Sequence, residues 1–229
     1  LISILALLGC ASKTGSPTSY SNSGKKFDLR PYEEKKLSNG LQIVFVEDKE
    51  LPYINYGLLV RAGASSDPAA QIGLANLVGD LLDQGTVKYN SKNFATQVAQ
   101  LGARTSINTD KDYTYVTLNG LSQYQNELFD LFSEMVREPS FPDGEVARVK
   151  QNTLAELKRR ADSPSQFVDD VFESFLFSNH PYGHSTMGSV ASLKHIKRKD
   201  VIKFYLQHFR PNNSILTVCG KLDEQIKEK

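Results

Sequence analysis

The chain has 229 residues, enough for one large domain or two small ones. Apolar residues make up 40% and charged residues 23%, and the formal net charge is +1, so the chain has an ordinary globular composition without the basic excess that nucleic-acid binding needs. The short basic runs "LKRR" (157–160) and "KHIKRK" (194–199) read as solvated helix faces, and two cysteines are too few for a disulfide framework.

The chain opens with "LISILALLGC". This apolar run is too short for a bilayer, which takes about twenty residues. It resembles the end of a bacterial lipoprotein signal, with "LLGC" as the lipobox. The resemblance implies cleavage before Cys10, acylation of its sulfur and amine, and anchoring through the acyl chains. It places the protein in the bacterial cell envelope, at the outer membrane facing the periplasm. Residues 11–26, "ASKTGSPTSYSNSGKK", are small and polar and read as a flexible tether. The expected organisation is a signal remnant (1–10), a tether (11–26) and a globular body (27–229).

"LSNGLQIVFVED" begins the body with a turn at Asn39-Gly40 and an alternating strand through Leu41, Ile43 and Phe45. "YINYGLLVRAG" (53–63) reads as a second strand. "GLANLVGDLLDQGT" (73–86) reads as an amphipathic helix, with Leu74, Leu77, Val78, Leu81 and Leu82 in one stripe. Asn76, Gly79, Asp80 and Asp83 fall on the opposite face. Glycine inside a helix costs about 1 kcal/mol relative to alanine. Gly79 is either simply tolerated or marks a close backbone approach.

"SKNFATQVAQLG" reads as the next helix, capped by Ser91 and ended by Gly102. "ARTSINTDKDYTYVTLNG" reads as two strands, the second with Thr114, Val116 and Leu118 on one face and Tyr113, Tyr115 and Thr117 on the other. From 122 to 178 the pattern is helical. Leu128, Leu131, Phe132, Met135 and Val136 form one core face, and a second helix starts at Pro142. A third, capped by Ser163, has Phe167, Val168, Val171, Phe175 and Leu176 as its expected core face. "SNHPYGHSTMGS" reads as a loop, "KRKDVIKFYLQHF" as a last long helix, and "NNSILTVCG" as a final strand with Cys219 a buried thiol. "GKLDEQIKEK" looks like the first turns of another helix, which suggests a longer parent protein. Antiparallel-looking strand pairs with helices in a block between them give an α+β fold.

"LSNGLQIVFVED", "GLANLVGDLLDQGT", "HPYG" and the closing "NNSILTVCGKLD" together resemble the M16 zinc peptidases, the pitrilysin/insulinase and mitochondrial processing peptidase group, over about residues 28–229. The resemblance implies an antiparallel-type sheet with a block of helices packed on it. Active members carry H-x-x-E-H on the helix after "GLA". Two imidazoles one turn apart bind one zinc, the glutamate takes a proton from its bound water, and a distal glutamate is the third protein ligand.

Laid on this sequence, the first histidine falls on Asn76, the base on Gly79 and the second histidine on Asp80. Of the site, only the distal ligand, Glu156, survives. Losing the base alone removes about 10²–10⁴ in rate. His180 and His184 flank "PYG" and share no helical face, and His195 and His208 read as surface or satisfied core positions.

The resemblance therefore implies an inactive member with no catalytic residue, no metal and no cofactor. Its expected role is to pair with a zinc-bearing homologue and help form a peptide-binding chamber. Peptide would lie along an edge strand, with Thr105, Ile107 and Asn108 as its candidate contacts. Alternatives are a structural or assembly lipoprotein without peptide binding, and a hydrolase holding a hard ion between Asp80, Asp83 and Glu156.

Overall fold

The computed structural model describes residues 30–223 and Ile226. Cys10 and the tether lie outside the described residues. Six strands make one sheet: β1 (Glu33–Lys36), β2 (Gln42–Glu47), β3 (Tyr53–Val60), β4 (Arg104–Thr109), β5 (Thr114–Leu121) and β6 (Ser214–Gly220). Their order is β1-β2-β6-β3-β5-β4. Each neighbouring pair is antiparallel except β2 with β6, which run parallel in the register Gln42 to Ile215 through Glu47 to Gly220. The last strand enters between β2 and β3 after the whole helical block has been laid down, so it closes the sheet.

Alternation decides which face is covered. Ile54, Tyr56, Leu58 and Val60 on β3 and Thr114, Val116 and Leu118 on β5 are buried on one side. Over that side lie α1 (Leu74–Leu81) and α3 (Gln125–Arg137). The α3 face of Leu128, Leu131, Phe132 and Met135 is buried, as its spacing predicts. Tyr56 is fully buried, stacks on Phe132, meets Phe129 edge-on and donates its hydroxyl to the Gln125 carbonyl at 2.8 Å. A buried phenol needs such a partner. The α1 stripe of Leu74, Leu77, Val78, Leu81 and Leu82 is buried throughout.

α2 (Ser91–Gln100) is capped by Asn90, whose side chain accepts from Asn93 N–H at 2.8 Å, rather than by Ser91. Gly102 follows it at φ 60°. α4 (Asp143–Ala161) begins after Pro142. β1 and the short α6 (Val190–His195), which Ser189 caps, escape the sequence pattern because four charged residues and six residues carry too little periodicity. α7 (Arg198–His208) leads to β6.

Three more expectations fail. Ser163, at the N-cap of the helix Pro164–Phe177, makes no capping hydrogen bond with its side chain. Cys219 is exposed, because β6 alternates and the inward position next to it is taken by Val218. The helix α5 (Pro164–Phe177) has no buried residue. Its inward positions are Gln166, Asp170 and Glu173, and its Phe167, Val168, Val171, Phe175 and Leu176 point outward. Ion pairs fix this orientation: Arg160 with Asp170 at 2.9 Å and Lys111 with Glu173 at 2.8 Å. The spacing is right for an amphipathic helix, but the polar side is the one docked. No helix of the described residues is long and apolar enough to cross a membrane.

Candidate functional site

The start of α1 is set by a residue outside the helix. Its N-cap, Gly73, sits at φ 95° and has no side chain to offer the free N–H groups. Asp67 replaces that cap. Its carboxylate accepts from Gly73 N–H at 2.6 Å and from Ala75 N–H at 2.7 Å. Burial pushes the Asp67 carboxyl up to about 7, outweighing the lowering by the Ala75, Gly73 and Leu74 N–H groups. A Cβ on Gly73 would lie 2.6 Å from the Met187 carbonyl oxygen, so glycine here admits the loop before α6 as well as the left-handed turn.

The polar side of α1 is tied up within the protein. Asn76 donates its amide to the Asp80 carboxylate at 2.9 Å. Asp83 accepts from Gln84 and, at 3.4 Å, from the Thr105 hydroxyl. Gln84 in turn accepts from Arg148 on α4 and from Ser91. Burial raises the Asp80 carboxyl to about 6, with Asp83 adding to it and Asn76 opposing. Its side chain still reaches solvent, which screens the shift. Burial likewise raises the Asp83 carboxyl.

Gly79 is not on a wet face. It is buried where α1 crosses β4, and a Cβ there would lie 2.7 Å from the Thr109 hydroxyl oxygen and 3.3 Å from Ile107 Cγ2. Of the two readings of this glycine, close approach is the nearer, but the atoms that approach are the side chains of Thr109 and Ile107 and not backbone. β4 is the sheet's edge strand and lies beside α1. Thr105 and Ile107 are half-buried, in the same alternation as Thr109; Asn108 is exposed and points to the other face.

The Glu156 carboxylate is already hydrogen-bonded. It pairs with Arg159 on its own helix, Nε to Oε2 at 2.8 Å, and that hydrogen bond holds its carboxyl below the usual range. Among the described residues no group of three or more His, Cys, Asp or Glu side chains is placed to hold a metal ion. The donors at α1 are one amide and two carboxylates, and Thr109 occupies the space beside Gly79, so this set does not fit a zinc ion bound through imidazoles.

His180 and His184 bracket the turn Pro181–Gly183 and line one cleft of about 340 Å³ with Asp67 and Ile72. His180 Nδ1 accepts from Tyr182 N–H at 3.2 Å. His195 is exposed, and His208 stacks on Phe204 with its ring pKa lowered by burial. Lys111, in the turn between β4 and β5, organises the region. Its ammonium donates to Glu173 at 2.8 Å and to the carbonyls of Tyr182 and His184 at 3.0 and 2.7 Å. Sequence reasoning misses Asp67, Arg148 and Lys111. For Asp67 a signal exists, since an acidic residue stands shortly before a glycine-started helix. For Lys111 and for the contact of Arg148 with Gln84 there is none, because the partners are more than sixty residues away.

The sequence profile described as "Insulinase (Peptidase family M16)" matches residues 42–190. The non-peptidase homolog YmxG of Helicobacter pylori is 25% identical over 187 residues, 81% of this chain and 43% of that protein. An uncharacterized zinc protease of Rickettsia bellii is 23% identical over 197 residues, 85% of this chain and 47% of that protein. The crystal structure of a peptidase M16 inactive domain from Pseudomonas fluorescens matches with a TM-score of 0.82 at 26% identity, covering 86% of this chain and 48% of that one. The chain thus spans just under half the length of these relatives. The edge strand beside α1, the α+β layering and the matched stretch agree: the chain belongs to the insulinase family of peptidases, family M16.

Proposed function

We propose that this chain is a non-catalytic M16 subunit that pairs with a zinc-bearing homologue and helps enclose a peptide. The observation that carries the reading is the contact of Gly79 with Thr109. The position that corresponds to the catalytic base in the family motif has no side chain, and the space a base would need is filled by β4. Asn76 and Asp80, at the two histidine positions, are hydrogen-bonded to each other. A relative named as a non-peptidase homolog and another named as an inactive domain support the same reading.

In this proposal peptide lies along the outer edge of β4, where backbone hydrogen bonds give affinity without strict sequence demand. Thr105 and Ile107 meet it on the α1 side and Asn108 on the other. Acylated Cys10 holds the subunit at the envelope membrane, facing the periplasm. The hydrolase alternative, with a hard ion between Asp80, Asp83 and Glu156, is disfavoured by the commitment of Glu156 to Arg159.

The test is co-purification with a zinc-bearing homologue from the same cell, followed by peptide protection and cleavage assays on the pair and on each chain alone. The expected result is a stable pair that retains peptide, with chelator-sensitive cleavage confined to samples containing the homologue. Chelator-sensitive cleavage by this chain alone would overturn the reading. A chain that associates with no homologue and protects no peptide favours the assembly alternative.

A further inference from the structure

The helix α5 rests on the body along one polar row. Only Gln166, Asp170 and Glu173 are half-buried, and no apolar side chain of the helix is. Its hold therefore comes from charge. Asp170 accepts from Arg160 at 2.9 Å and Glu173 from Lys111 at 2.8 Å, with the two carboxylates 33% and 44% exposed. Ion pairs this open to water contribute little. Against them the seam sets two atoms closed off from solvent, Arg160 Nε and Gln166 Oε1, which have no hydrogen-bond partner among the described residues. Each such atom costs the hydration it gave up. The turn after α5 belongs with it: Phe177 meets the Tyr182 ring edge-on and lies against His180. That turn is held in the same way, by Lys111 through the carbonyls of Tyr182 and His184 and by the Tyr182 hydroxyl donating to Asp112. Apolar packing is found on either side of this stretch. Before it, α4 sets Leu154 and Leu157 against the core; after it, the Ser192 hydroxyl donates to the Ile72 carbonyl at 2.7 Å and Leu193 is fully buried.

We infer that residues 162–184 form a detachable strap, clamped by Lys111 and Arg160, that closes the cleft at the start of α1. One wall of that cleft is Asp67, Ala69 and Ile72 on the body; the other is Ser178, His180 and His184 on the strap. Release of the clamps parts the two walls. Both clamps are electrostatic, so added salt weakens them and leaves the apolar core as it is. A segment that opens without the rest of the fold is one with few buried apolar contacts, and this one has the fewest of any helical stretch here. The strap is independent of the chamber role proposed above.

Hydrogen exchange of the full chain, read by mass spectrometry at low salt and at about 1 M sodium chloride, tests this; at the higher salt the screening length falls to about 3 Å. Amides of α5 and of residues 178–184 should exchange at least about 100-fold faster than those of α1 and β3. High salt should quicken both stretches together by about 3-fold or more and leave α1 and β3 unchanged. In a Cys10→Ser, Cys219→Ser background, thiol labelling of Ile72→Cys should quicken with them as the cleft opens. The variant R160M/Q166L/D170L puts apolar contacts in place of one clamp and of both orphaned atoms, and should slow exchange in α5 at least about 10-fold. Protection of α5 equal to that of α1, a rate indifferent to salt, or quickening of α5 without residues 178–184 would each overturn the inference. So would labelling at position 72 that ignores salt, or a folded triple variant no better protected than the parent.

Discussion

Gly79 and Thr109 are closer than any side chain at position 79 would allow: a Cβ built there lies 2.7 Å from the threonine hydroxyl oxygen. Alanine is the better helix former by about 1 kcal/mol, so on propensity alone Gly79→Ala stabilises. The contact reverses that sign. Gly79→Ala should lower stability by about 1–3 kcal/mol in urea denaturation, the usual cost of overpacking. Thr109→Ala should recover most of it in the double variant, since Thr114 keeps its bond to the Ala62 carbonyl at 2.9 Å. A double-mutant cycle with no coupling would show that α1 shifts freely from β4.

The same contact bears on restoring a metal site. Converting Asn76, Gly79 and Asp80 to His, Glu and His should give a folded but destabilised protein that fails to bind zinc in equilibrium dialysis. Adding Thr109→Ala makes room for the glutamate, and Arg159→Ala frees Glu156. Only the five-fold variant should bind one zinc per chain.

Asp67 should matter more than its distance from α1 in sequence suggests. Asp67→Ala removes the acceptor for the Gly73 and Ala75 N–H groups and should cost about 1–2 kcal/mol, as helix caps do. Asp67→Asn keeps an acceptor oxygen and should cost less. Chemical denaturation at fixed pH compares the two.

Two carboxyls set a pH trend. Asp67 and Asp80 are raised to about 7 and about 6 by burial, so each holds its proton more tightly in the folded protein than in the unfolded chain. Their contribution is complete below about pH 4 and is lost as pH rises through those values. Thermal melts should therefore show Asp80→Asn gaining on the parent protein as pH rises from 5 to 8, with the larger part of the gain near pH 6. Parallel curves would mean that the Asp80 carboxyl is fully hydrated.

Lys111 is 18% exposed and holds three acceptors. Lys111→Met leaves two carbonyls and one carboxylate without their donor and should cost about 1–3 kcal/mol. Amide exchange should quicken across residues 178–184 and along α5, and stay unchanged in β3. Uniform quickening would place Lys111 in the global core instead.

Much of the fold was legible because its elements obey their own periods. The α1 stripe, the α3 face and the β5 alternation are buried as their spacing predicts. The edge position of the strand that holds Thr105, Ile107 and Asn108 also agrees with what the family resemblance implies. The failures share one cause. Alternation and helical period tell which residues share a face, but not which face is covered. α5 has the right pattern and the opposite orientation, because Lys111 and Arg160 reach it from other elements and hold its acids inward. Gly79 was ambiguous for the same reason, as only the placement of β4 decides whether its face meets water or Thr109.

The three acceptors of Lys111 lie on α5 and on the loop that carries His180 and His184, while Lys111 itself sits in the turn that joins the edge strand to β5. One cation therefore acts as a mechanical linkage. The sheet's margin and the helix that displays the phenylalanine strip are pinned to each other through a single ammonium group.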